Sequence, residues 1–381
     1  MKKSIFMVAL AAIAMTSCSQ DEIIEVQKDA VSFSVVANKS SRAVTTTGTI
    51  NGFKVWGLAT EADQVAQGKI FMNGVEVTKP SGSWVYSPVQ YWPNGGTVDF
   101  YAISPIEIAN TNTVSVAKAG KTIKYTVDNV NEDLLYAVNM GCSKATGQVG
   151  LNFRHALSQL EFKAQVTDPT LKVVIKGVKV YHIANSATLT LPEFTTNDPD
   201  YSSAADGTND TEIAGPISGD KAWGEWTTAT GDVNYAATFV AATDVTLTKS
   251  TVDQPLAISS TTDPLLVMPQ TLTPATLTSG KMNLTSGTYF AINCTIYSVC
   301  GSEETQLWPT TVGASAEVAI PATAITWKQG KKYVYTFNFG EGAGYEGDET
   351  TDTAADPVLA KVSFAVTVDE FQTETVPVIG M

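Results

Sequence analysis

Apolar and polar residues alternate with a period of two along several stretches of the chain. Val31, Phe33, Val35 and Ala37 interleave with Ser32, Ser34, Val36 and Asn38. Leu160, Phe162, Ala164 and Val166 interleave with Glu161, Lys163 and Gln165, and Val362, Phe364, Val366 and Val368 with Ser363, Ala365 and Thr367. Successive side chains of an extended chain point to opposite faces, so each stretch reads as a half-buried strand. Residues 171–183 and 333–339 carry the same signature. Beyond the first twenty residues, no window of eleven or more keeps an apolar helical face. Short loop helices are compatible with the pattern, for instance at 62–66. The expected fold class is all-β, built as sandwiches.

Chain length and composition extend this reading. Setting aside residues 1–17 leaves 364, more than the roughly 100 of one sandwich, so two domains are expected. Asp168-Pro169 separates two strand runs and is the expected boundary. It gives an N-terminal sandwich over 43–168 and a C-terminal one over 169–381. Residues 195–232 and 340–356 are polar and Gly-rich, and both are expected to be surface loops. Asp and Glu number 38 against 24 Lys and Arg, with no basic patch, which excludes nucleic acid as a natural partner. Only 16% of residues are charged, and Thr, Ser and Val are abundant, which suits strands better than helices.

The first residues have a separate logic. Lys2 and Lys3 precede the apolar run from Ile5 to Ala14, then Met15-Thr16-Ser17-Cys18. A basic start, a short apolar core and small residues before a lone cysteine form an export signal over 1–17. The run is shorter than the ~20 residues a bilayer span needs. Cys18 stands where a lipoprotein signal places its acylated cysteine, giving attachment to the outer membrane; the alternative is an ordinary cleaved signal with an incidental Cys. Cys142, Cys294 and Cys300 are expected to be buried free thiols. Cys294 and Cys300 share a face of one strand-like run but are about 20 Å apart at ~3.3 Å per residue, too far for a bridge.

Candidate chemistry is sparse. The chain has two histidines, His155 and His182, neither in a metal-binding motif, and no Cys cluster has zinc spacing. No nucleophile elbow or phosphate loop occurs. His155, in Asn152-Phe153-Arg154-His155-Ala156-Leu157, reads as a hydrogen-bonded structural residue. Glu132-Asp133 and Glu303-Glu304 read as solvated turn carboxylates. A glycosidase is the one enzymatic alternative, because carboxylates drawn from different strands leave no spacing signature. No catalytic residue, metal or cofactor is expected. The segment from Trp84 to Pro93 invites a sugar-stacking platform, but its rings Trp84, Tyr91 and Trp92 are expected to fill the core.

Several short motifs occur in order: Ser41-Arg42-Ala43, Gly52-Phe53-Lys54-Val55-Trp56-Gly57, the Trp84 to Pro93 segment and Val98-Asp99-Phe100-Tyr101-Ala102. Asp133-Leu134-Leu135-Tyr136-Ala137 and Leu151-Asn152-Phe153-Arg154-His155-Ala156-Leu157-Ser158 follow, then Leu265-Leu266-Val267-Met268-Pro269-Gln270 and Trp327-Lys328-Gln329-Gly330-Lys331-Lys332-Tyr333. In this order the chain resembles the fimbrillin family, the subunits of type V pili and their relatives. The resemblance implies two transthyretin-like sandwiches in tandem, export as a lipoprotein precursor, and proteolysis after an arginine near the start of the first domain. Arg42 before Ala43 fits that site; a plain loop cation is the alternative.

Cutting at Arg42 would free residues 18–42 with the strand Val31, Phe33, Val35 and Ala37. Four apolar side chains at roughly 1.5–3 kcal/mol each, the alanine less, set an upper bound of about 6–10 kcal/mol for what that strand contributes. The vacancy would be filled by a strand of another pilus subunit, and head-to-tail repetition builds a filament. The segments 362–368 and 373–381 are the donor candidates. The expected function is therefore a structural or adhesive subunit of a cell-surface pilus, touching the membrane only through the precursor's lipid and contacting host or bacterial surface glycans. The competing reading is a monomeric outer-surface lipoprotein that keeps strand and anchor and binds glycans or host ligands.

Overall fold

The computed structural model describes residues 30–35, 50–60, 69–108, 112–193, 223–240, 243–249, 254–340, 344–347, 354–358, 362–370 and 373–374. The positions Cys18, Ala37, Arg42 and Ala43, the signal over 1–17, the 62–66 segment and residues 375–381 lie outside them. Among the described residues the structure is β throughout, with one 3-10 turn at Lys144–Thr146 and no α-helix.

The first half is organised around a six-stranded antiparallel sheet. Its order is Arg154–His155, Leu135–Cys142, Thr97–Ser104, Gly52–Thr60, Lys69–Thr78 and Val85–Tyr86. Both faces of the central strands are covered. Trp56, Tyr101, Ile103, Tyr136 and Val138 pack against Ile123, Tyr125 and Leu189 from a four-stranded sheet. From the same strands, Phe53, Val55, Phe100, Ala102 and Ala137 face the other way, toward Val31, Phe33, Val149 and Leu151. Double coverage explains the continuous apolar runs Phe100–Ile103 and Leu134–Val138 within these strands, which no period-two rule detects.

The second half is a sandwich of two sheets. One has the order Leu256–Ala257, Ser158–Val166, Lys331–Phe339, Val362–Glu370 and Thr373–Glu374. Ser158–Val166 and Lys331–Phe339 run parallel; Lys331–Phe339 and Val362–Glu370 run antiparallel over nine paired positions. The facing sheet is built on the long pair Leu171–Ile183 and Tyr289–Cys300. Leu160, Phe162, Tyr335 and Phe337 meet Val173, Ile175, Phe290 and Ile292 in the core. Phe162 stacks on Tyr335 and Phe337 at 5.9 and 6.1 Å.

Three sequence expectations are corrected. Asp168 lies in a turn, its carboxylate accepting the Thr170 amide at 2.8 Å, between two strands that both line the second core. The chain passes between cores at 157–160, since Leu157 packs in the first and Leu160 in the second. It later returns, because Ala187, Leu189, Leu266 and Met268 belong to the first half's core. The Asp-Pro pair therefore marks a tight turn inside one sandwich. The 195–232 stretch is not all loop: Glu225–Trp226 is a strand, and the Trp226 indole donates to Ala156 O at 2.9 Å. Within 340–356, Tyr345–Gly347 is a strand and Tyr345 and Ala355 are buried, so few but well-placed apolar residues suffice to pack it.

The two halves meet through a compact junction. The Tyr136 hydroxyl accepts the Gly224 amide at 2.8 Å, the Gln329 amide donates to Gly224 O, and Arg154 lies over the Trp223 ring at 4.6 Å.

Candidate functional site

The site is built around the N-terminal strand, Ser32–Val35. Among the described residues it pairs in parallel with Gln148–Leu151 alone, with Phe33 opposite Val149 and Val35 opposite Leu151, as a two-stranded sheet apart from the larger ones. Alternation has its expected effect where it is fullest: Val31 and Phe33 are each 2% exposed, and Ser32 faces solvent. Val35 is only half-buried. Phe33 meets Phe53, Tyr86 and Phe100 edge-on, with ring centroids 6.1, 5.6 and 5.5 Å away. This geometry sets the positive rim of one ring against the negative face of the next.

Polar groups hold the backbone of the strand from both sides. The Val31 amide donates to Gln90 O at 2.9 Å, the Tyr86 hydroxyl donates to Val31 O at 2.7 Å, and the Gln148 side-chain amide donates to Phe33 O at 3.0 Å. Burial pushes the Tyr86 phenol above its ordinary value, so it remains a donor at any physiological pH. Tyr86, Gln90 and Gln148 were not singled out from the sequence. Groups that bind main-chain atoms, here two side chains and the Gln90 carbonyl, carry no periodic signature; the only hint was that Tyr86 and Gln90 fall in the aromatic Trp84 to Pro93 segment.

That segment divides between core and surface. Trp92 is buried edge-on to Phe100 at 5.9 Å, and Trp84 lies 5.1 Å from Phe53 with the Lys79 ammonium over its ring. Tyr91 is 47% exposed, contrary to the expectation that it fills the core, because the edge bridge it makes to Ala30 turns its ring outward. The three rings form no common platform for a sugar.

The remaining candidates are occupied structurally. His155 Nδ1 lies 2.6 Å from Asp133 Oδ2. Asp133 is buried, not solvated as expected of a turn carboxylate, because this histidine is its partner. His182 is held between Asp232 and Leu284 O, both at 2.8 Å. Glu304 pairs with Lys172 at 2.6 Å. Cys142, Cys294 and Cys300 are free; the first two are buried, but Cys300, at the hairpin turn that ends its strand, is exposed, contrary to expectation. Among the described residues no group of His, Cys, Asp and Glu could hold a metal, and no helix is long and apolar enough to cross a membrane.

The fimbrillin-like family model matches residues 41–355. The chain belongs to the fimbrillin-like family. It is a structural protein rather than an enzyme. Among solved structures, a fimbrial protein from Bacteroides vulgatus ATCC 8482 is similar at 16% identity and TM-score 0.54, over 88% of this chain and 98% of that one. That likeness supports the all-β architecture. A protein from Parabacteroides distasonis ATCC 8503, provisionally assigned to cell adhesion, aligns over 90% of this chain and 97% of its own at 10% identity and TM-score 0.44, too weak to carry argument. No curated protein matches the chain.

Proposed function

We propose that this fimbrillin-like chain is a structural or adhesive subunit of a cell-surface fimbria. It is exported as a lipoprotein precursor acylated at Cys18, cut between Arg42 and Ala43, and assembled when another strand replaces the one released. The observation that carries this reading is the seating of Val31 and Phe33. They are fully buried, yet they sit on a strand that, among the described residues, pairs with one short neighbour and belongs to none of the larger sheets. At roughly 1.5–3 kcal/mol each, their burial contributes at most about 3–6 kcal/mol. This is less than the bound drawn for four side chains, since Val35 is half-buried and Ala37 lies outside the described residues.

Loss of the strand leaves the rings of Phe53 and Phe100 uncovered, together with the half-buried acceptor of Gln90 and donor of Tyr86 and the amide of the exposed Gln148. Water can meet those polar groups, so it is the uncovered apolar surface that favours an incoming strand, whose main chain then takes up the same hydrogen bonds. A contact made head to tail does not close on itself and gives a filament.

Mass mapping of the N-terminus in filaments sheared from cells tests the proposal. A mature terminus at Ala43 is expected. Filaments whose subunits retain acylated Cys18 and residues 31–37 would overturn it.

A further inference from the structure

We infer that His182 is a proton-operated clamp on the joint between the two halves. It fastens that joint while its imidazole is doubly protonated and releases it when one proton leaves. The chain crosses from the second half to the first between Ile183 and Ala187, and crosses back between Ala229 and Val233. The two crossings lie side by side. Thr230 O accepts the amides of Asn185 and Ser186, each at 3.0 Å, and the Thr230 amide donates to Ser186 O at 2.8 Å. A Cβ on Gly231 would run into Asn185 Oδ1, so the approach is close. His182 stands just before the first crossing and Asp232 within the second.

Donor and acceptor chemistry fixes the charge of the ring. Nδ1 lies 2.8 Å from an Asp232 carboxylate oxygen, and Nε2 lies 2.8 Å from Leu284 O. A peptide carbonyl only accepts, and so does an ionised carboxylate. A neutral imidazole has one N–H, so it satisfies one of these partners and turns a lone pair on the other. Only the imidazolium makes both bonds. The shared proton belongs on the ring, since imidazole is a stronger base than a carboxylate. The ring cannot turn away from the mismatch. His182 adopts φ +55, its amide donates to Asn234 Oδ1 and its carbonyl accepts the Thr288 hydroxyl, both at 3.0 Å. Its side chain is 10% exposed and lies tilted against the Tyr289 ring at 5.8 Å.

Loss of a proton breaks one contact, and the surroundings decide which. Leu284 is fully buried, so its carbonyl keeps the remaining N–H, whereas the exposed Asp232 carboxylate turns to water. The second crossing is then no longer tied to the strand Leu171–Ile183. Asp232 is the charge that faces the ring. On the strand of His182, Lys179 pairs with Glu317 at 2.7 Å, and burial pushes the Tyr181 phenol up to about 12. On the stem of the Leu284 turn, Lys281 pairs with Asp356 at 2.7 Å, and residues 283–288 carry no charge. Beyond the second crossing, burial raises the Tyr235 phenol. The clamp is therefore complete below the range in which histidine titrates and is lost as the pH rises through it. His155, at the other passage between the halves, differs: an Nδ1–H meets Asp133 in either charge state.

Hydrogen exchange of the full-length chain at pH 5 and pH 8, which bracket the titration range of an imidazole, tests the clamp. Rates are divided by the intrinsic exchange rate at each pH. Protection over residues 229–236 should fall at least about tenfold from pH 5 to pH 8, and that of Tyr289–Cys300 should change far less. Asp232→Asn is the decisive variant, because this side chain is exposed and the change keeps its shape. An amide accepts from the imidazolium through its oxygen and donates to the bare Nδ1 of the neutral ring through its nitrogen, so the tie survives in both charge states. The decline in Asp232→Asn should shrink below about threefold. A smaller decline in the wild-type chain, or one that persists in Asp232→Asn, would overturn the inference.

Discussion

Replacing Phe33 with alanine in the uncut chain isolates the energetics of the seat. The ring is 2% exposed and lies within 6.1 Å of three other aromatic centroids, so little of the surroundings can collapse into the space it leaves. Phe to Ala at such a site costs about 3–5 kcal/mol. Because Ser32–Val35 pairs only with Gln148–Leu151, that loss should appear as undocking of the strand and not as global unfolding. At about 1.4 kcal/mol per tenfold, amide protection over residues 31–35 should fall roughly a hundredfold to several thousandfold. Protection at Thr97–Ser104 and Leu135–Cys142, in the sheet beneath, should change far less. Ser32→Ala, on the exposed face, is the control and should stay within about 0.5 kcal/mol of wild type. Hydrogen exchange read by mass spectrometry follows all three regions at once. Unchanged protection over 31–35, or an equal loss across both halves, would show that Phe33 is not the anchor of a separable strand.

Further expectations concern the junction and the buried ionisable groups. Gly330 adopts φ +68, and a Cβ there would lie 3.1 Å from the Trp223 ring, so Gly330→Ala should lower stability by at least about 1–2 kcal/mol in urea titration; a neutral result would show that Trp223 moves aside freely. In a Cys18→Ser chain, Ellman's reagent should modify one thiol, Cys300, in the native state and all three after unfolding, since burial pushes the Cys142 thiol up to about 12 and raises Cys294 as well. Burial also raises Tyr136 and Tyr181 to about 12. These groups are neutral when protonated and keep their protons longer in the folded state, so their contribution is complete below their unfolded values of about 8.5–10 and is lost as the pH rises toward 12. The urea midpoint should decline over that window, and less steeply in Tyr136→Phe; a midpoint independent of pH there would contradict the burial of these groups.

The sequence made some strands legible and hid others for a physical reason. Residues 160–166, 171–183 and 333–339 were visible because many of their alternate side chains meet different environments, and 362–368 was read from the same pattern. Thr97–Ser104 and Leu135–Cys142 have core on both sides, so alternation vanished and they entered only through their resemblance to family motifs. Even inside a correctly read strand, parity failed once: Glu161 falls on the polar phase yet is buried, with the Lys332 ammonium 2.6 Å from its carboxylate as an ion pair. The site shows the same division. Val31 and Phe33 could be read from their pattern, whereas the hydrogen-bonding groups of Tyr86, Gln90 and Gln148 could not, since they act on backbone atoms far away in sequence.

The arrangement of the seat bears on how a subunit could lose a strand and stay folded. A strand inside any of the larger sheets would take ladder bonds on both sides with it, and the sheet would open. An isolated two-stranded sheet is marginal on its own, so the pair Ser32–Val35 and Gln148–Leu151 owes its stability to the side chains it buries. Val149 and Leu151 are anchored independently, fully buried in the same core and continuous with the chain on both sides. The half of the pair that stays would therefore keep its register if the other half departed. What would be lost is a short row of main-chain bonds and two apolar plugs, and a strand that restored both would complete the fold again.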